Sequence, residues 1–148
     1  MTEYINFIKH DSVSFSSFDM GDIEIGKDGV IISSKFESAN SMMIFVAVSD
    51  FIFALKRVKS DVKKYEFIGA DSSFCLNFER RNKGIVISDG INDMQMSWLE
   101  VFSLTMSGLV EIKNKWMNEF SKDDSVFQDL MDAENCLALL LRAEMGIS

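Results

Sequence analysis

The chain has 148 residues, near the usual size of one domain, and 47% of them are apolar, enough to bury a core without disulfides or metals. Its formal net charge is −8 with a pI near 4.6, which argues against direct binding of nucleic acid or anionic membranes, since both need basic surfaces. The same balance suits a basic partner, because opposite fields raise the encounter rate and help select it.

In chain order, Ser12 to Phe18 alternates Val13 and Phe15 with serines, which predicts a strand. Asp22 to Ile25 and Val30 to Ser34 flank Gly26-Lys-Asp-Gly29, and a DG pair between β-rich runs predicts a hairpin. Met42 to Val48 is a continuous apolar run and predicts a central strand, with Ser49 as N-cap of the next helix. Phe51, Leu55, Val58 and Val62 then follow at helical spacing. Phe74, Leu76 and Phe78 fall on one face of a strand, Arg80-Arg-Asn-Lys-Gly84 makes a turn, and Ile85 to Ser88 returns. Met94, Met96 and Trp98 alternate with polar residues; Trp98 to Leu104 fits either period and is read as strand, with a helix on to about Phe120. Ser125 and Gln128 have capping-box spacing ahead of a last helix, 125–144, striped with Phe127, Leu130, Leu137, Leu140 and Leu141.

The halves 12–62 and 65–120 share this order. Gly29-Val-Ile-Ile-Ser33 answers Gly84-Ile-Val-Ile-Ser88, and Met42 to Ser49 answers Met96 to Ser107. The expected fold is therefore α+β: an antiparallel sheet of six or more strands from two ββ-β-α pseudo-repeats, helices on one side, plus a C-terminal helix, in one domain over 1–148. There is no proline, no low-complexity run and no CxxC pair; Cys75 and Cys136 lie in separate apolar stretches and read as buried thiols of a reducing compartment. The opening residues lack the basic region of a secretory signal, and Met42 to Val48 is too short to cross a membrane, so the expected location is cytoplasmic.

No catalytic, cofactor or metal site is expected. His10 is the single histidine and reads as a solvated loop residue beside Asp11, although burial beside a serine, cysteine or carboxylate would revive an enzyme. The carboxylates of Asp19-Met-Gly-Asp22 and Asp89-Gly-Ile-Asn-Asp93 read as turn residues. The acids from Glu119 to Glu134 are set against one base, Lys122; they suit either a helix N-terminus with a solvated face or a docking patch. Read as a patch, the partner-binding candidates are Asp89, Asp93, Glu119, Asp123, Asp124, Asp129, Asp132 and Glu134. Lys56, Arg57, Lys59, Lys63 and Lys64 read as a solvated basic face. Phe36, Met42, Met43, Met94 and Met96 line the buried sheet face or contribute to an interface.

The order hairpin, apolar strand ending in Ser49-Asp50, helix with Phe53-x-Leu55, then Phe74-Cys-Leu-Asn-Phe78 and Gly84-Ile-Val-Ile-Ser88 resembles small immunity proteins of bacterial polymorphic toxin systems. The nearest in pattern are those paired with wall-associated and contact-dependent growth inhibition toxins. The likeness spans roughly residues 5–120 and lies in element order, so no binding residue is carried over. It implies a cytosolic antidote that covers the active site of a cognate toxin domain. Such toxins are often basic nucleases, whose phosphate sites carboxylates can occupy. The alternatives are a small-ligand protein or enzyme with a pocket assembled by the fold, and a structural homo-oligomer, such as a homodimer paired through strand edges.

Overall fold

The computed structural model describes residues 3–146. Its order is β1 (Tyr4–Lys9), β2 (Met20–Lys27), β3 (Val30–Ser33), β4 (Met42–Met43), α1 (Ile44–Ser60), β5 (Lys64–Ile68), β6 (Cys75–Arg81), β7 (Gly84–Ser88), β8 (Asp93–Ser97), α2 (Trp98–Trp116) and α3 (Ser125–Glu144). The class is α+β with a C-terminal helix. Among the described residues, the eight antiparallel strands divide into two sheets of four. The first sheet runs β1-β2-β3 with β4 paired to the start of β2; the second is the meander β5-β6-β7-β8. Four strands then a helix occurs twice in chain order.

The hairpins follow their turn residues. Asp28 and Gly29 both have positive φ (52° and 81°), the conformation a tight two-residue turn between twisted strands requires. Asn82 (φ 50°) does similar work between β6 and β7.

Each of the first two helices packs closely on the opposite sheet: α1 follows the first sheet and lies against β5 and β6, while α2 follows the second and lies against β1. α3 rests on α1 and α2. Phe51 of α1 joins the two sheets, with ring centroids 5.6 Å from Phe7, 5.5 Å from Phe67 and 5.4 Å from Phe78. A second aromatic group runs from Phe45 of α1 through Phe120 to Phe127 of α3.

Five sequence expectations give way. Residues 12–18 form a loop and not a strand. Asp11 accepts from the amides of Val13 and Ser14, Asp19 accepts from that of Ser16, and local bonds of this kind compete with a ladder. Met42 to Val48 is strand only at Met42–Met43; the helix starts at Ile44. Ser49 is no N-cap but an interior helix residue. The run Ile44, Phe45, Ala47, Val48 is buried because α1 begins between the sheets, and an apolar run of that length does not distinguish strand from buried helix. Trp98 to Leu104 is helix: Ser97 caps it, its hydroxyl accepting from Glu100 N–H at 3.1 Å. At α3 the cap is Asp124 rather than Ser125, accepting from Val126 N–H at 2.8 Å. β1 and β5 were not foreseen, although Ile5 and Phe7 flank Asn6 and Tyr65 and Phe67 flank Glu66.

Candidate functional site

The acids singled out from the sequence do not form one cluster. Asp89 and Asp93 lie at the β7–β8 hairpin, whereas α3 packs principally on α1 and α2. Asp89 is used locally, its carboxylate accepting from Ile91 and Asn92 N–H at 2.9 and 2.7 Å. Asp124 is committed to the α3 cap. Glu134 is held by Lys113, whose ammonium reaches both its oxygens at 2.7 and 2.9 Å. Glu119, Asp123, Asp129 and Asp132 are exposed. No ion pair takes them up among the described residues.

The sequence reading missed Asp50, on α1. It is exposed, yet the protein around it desolvates its carboxyl, and this, followed by the charge of Asp129, raises its pKa above the ordinary aspartate value. Asp50 and Asp129 thus set two carboxylates from different helices within electrostatic reach of each other, with no ion pair to either among the described residues. The signal lay in helix phase: Asp50 falls on the outer side of a helix whose inner side carries Phe51, Leu55 and Val58.

The basic face is partly neutralised. Lys59 pairs with Glu144 and lies over Trp98, Arg57 lies over Tyr65, and Lys64 faces Glu79 at 3.8 Å. Of the apolar candidates, Met42, Met94 and Met96 are buried, while Phe36 is 73% exposed.

His10 is half-exposed and contacts Asp22, which is itself buried. Asp22 also accepts from Ser34 Oγ at 2.7 Å, with Ser41 Oγ at 3.4 Å. The carboxylate is therefore the hub. In a nucleophilic triad the imidazole stands between hydroxyl and carboxylate; here both hydroxyls bond to the carboxylate. Ser34 Oγ further accepts from Ile23 N–H at 3.0 Å, so the group fastens the end of β3 and the loop after β1 onto β2. Beside it, buried Lys9 donates to the carbonyls of Asp11 and Ser14, pairs with Asp19 at 3.2 Å and lies 4.3 Å from the Trp116 ring centroid. The loop is thus tied to Lys9, with Val13 and Phe18 at its surface, 92% and 58% exposed.

A depression of about 940 Å³ is lined by Lys27, Lys83, Gln95, Ser97 and Glu100, among others. Lys27 is engaged there by Glu100 and the Gln95 carbonyl, each at 2.7 Å. Cys75 and Cys136 are free thiols, and burial pushes that of Cys136 up. Among the described residues no group of three metal-ligating side chains forms, and no helix is long and apolar enough to cross a membrane. Comparison with known proteins finds no matching family model, no similar curated protein and no similar solved structure.

Proposed function

We propose that this chain is a binding protein that neutralises a basic protein partner, in the manner of an immunity protein that blocks a toxin domain such as a nuclease. The observation that carries the reading is the set of carboxylates left without cations. Asp123, Asp129, Asp132 and Glu119 lie exposed on and before α3, and Asp50 is held near Asp129 at an electrostatic disadvantage. A cation from a partner relieves that disadvantage, and the chain's net charge of −8 steers such a partner in. Asp89, Asp124 and Glu134 are occupied within the fold and drop behind the others as contacts.

The test is capture from the native host at low and high salt, followed by an assay of the captured protein with and without the chain. A basic protein released as salt rises, whose activity the chain abolishes, supports the reading. Joint replacement of Glu119 by Gln and Asp123, Asp129 and Asp132 by Asn should then weaken association about tenfold or more, chiefly through a slower on-rate. Unchanged affinity would remove this surface from the interface. A captured protein whose activity the chain leaves intact would remove the neutralising role.

One observation favours a second reading. The contact between His10 and Asp22 leaves a half-exposed imidazole oriented by a carboxylate, as in a general base. Its test is His10→Ala: loss of a measured turnover with partner binding intact would favour an enzyme.

A further inference from the structure

Among the described residues, β5 has a ladder partner on one side only, β6. Arg80 N–H donates to Lys63 O at 2.8 Å and Gly69 N–H to Phe74 O at 2.9 Å. With Tyr65 opposite Phe78 and Phe67 opposite Leu76, alternation along an antiparallel ladder turns the backbone groups of Lys63, Tyr65, Phe67 and Gly69 toward β6. Those of Lys64, Glu66 and Ile68 turn the other way, and no hydrogen bond among the described residues takes them up. The next outward residue, Ala70, is already paired: its carbonyl accepts from Met43 N–H at 2.9 Å. This edge therefore begins to receive a strand, β4, and loses it when the chain turns into α1.

The first strand of the other sheet is treated differently. His10 N–H donates to Met20 O at 3.1 Å, so by the same alternation Ile5, Phe7 and Lys9 face outward along β1. α2 closes on that edge at Gly108, where a Cβ would fall on the Ile5 carbonyl oxygen. At β5 the corresponding helix, α1, leaves a depression of about 310 Å³ lined by Asp50, Phe53, Ala54, Arg57, Tyr65 and Ile68, among others. Charge differs along it. Asp50, within electrostatic reach of Asp129, lines it; Lys64, whose 75% exposed side chain lies 3.8 Å from Glu79, stands at the N-terminal end of the strand. Ile68 presents an apolar side chain, 53% exposed.

We propose that the free edge of β5 takes an extended segment of a partner protein as a fifth, antiparallel strand. The segment carries a basic side chain near its N-terminus, toward Asp50, and an acidic one near its C-terminus, toward Lys64. Backbone groups supply the pairing and the charged ends supply direction. This deepens, and rests on, the reading of the chain as a protein-binding module, by naming a surface and the form of what binds there. A second copy is disfavoured: it would bring −8 onto −8, and pairing centred on Glu66 would set like charges opposite each other.

The test uses a short synthetic peptide of alternating valine and polar residues, with arginine toward its N-terminus and glutamate toward its C-terminus, and a twin with those charges exchanged. The readout is residue-resolved amide exchange in the full chain. Binding of the first peptide should protect the Lys64, Glu66 and Ile68 amides while Tyr65 and Phe67, already in the ladder, change little; the twin should bind more weakly. Glu66→Pro should abolish binding, since its N–H lies outside the β5–β6 ladder and proline is tolerated at such an edge position. Exchange in the unaltered chain decides the matter even where the proline variant folds poorly. No binding, equal binding of both peptides, or protection elsewhere would overturn the proposal. So would a dimer of the free chain that Glu66→Pro converts to monomer, which assigns the edge to a second copy. Failure here leaves salt-sensitive capture of a basic partner standing, whereas failed capture with the peptide result intact removes the basic partner and keeps the edge.

Discussion

Single side chains in this fold separate stability from binding. Asp50 has a raised pKa from desolvation and from Asp129, so its ionised form disfavours the folded state. The sign follows: stability is greatest below the unfolded value of 3.8 and is lost as pH rises from there through the raised folded value. Asp50→Asn should therefore raise the thermal midpoint of the free chain while weakening its association with a basic partner; a lowered midpoint would show that the carboxylate is structurally required. Asp11 runs the opposite way. Its hydrogen bonds with the Ser14 hydroxyl and the amides of Val13 and Ser14 depress its pKa to about 2. The support it gives the loop is present above 3.8 and lost as pH falls through about 2. Amide exchange of Val13 and Ser14 should accelerate across that window and not above it. Ser49 is buried in α1, and its hydroxyl has no hydrogen-bond partner among the described residues. Ser49→Ala should stabilise the chain by about 1 kcal/mol, from removing that polar atom and improving helix propensity; a loss would mean that an ordered water serves the hydroxyl.

Among the elements, the contact between α2 and β1 sets how close a helix can come to a sheet edge. Gly108→Ala improves helix propensity by about 1 kcal/mol, but its Cβ would meet the Ile5 carbonyl. Backbone cannot yield as a flexible side chain can, so a net loss of about 1–3 kcal/mol is expected in denaturant unfolding. A net gain would show that α2 can move off β1. Element boundaries also mark where local reading worked. The Asp28-Gly29 turn was legible because both residues must take positive φ and that chemistry is local. The start of α2 was legible too, in the spacing of Ser97 and Glu100, but expected symmetry with the first half outweighed it. The start of α1 was not legible: Met43 supplies no side-chain cap, and only the surrounding sheets make helix the better arrangement for Ile44 to Val48.

Across the whole molecule, the exchange of helices between sheets ties the halves together. α1 finds its close packing on β5 and β6, and α2 on β1, so neither repeat of four strands and a helix has its full core alone. Unfolding should be a single cooperative transition. Phe51→Ala, which empties the position touching Phe7, Phe67 and Phe78, should cost about 4 kcal/mol and loosen amide protection in both sheets together. Loss of protection in one sheet alone would mean that the halves are independent. The sequence by itself determined the α+β class, the two hairpins, the amphipathic last helix and the acidic character, because turn chemistry, side-chain periodicity and charge are properties of neighbouring residues. Tertiary structure alone decided that the strands part into two sheets, that Glu134 is taken up by Lys113 while Asp129 gains Asp50 as a neighbour, and that β1 is closed by a helix while β5 stays open. Those outcomes depend on which distant segments meet, and a helix covers an edge only where a residue as small as Gly108 lets the backbones approach.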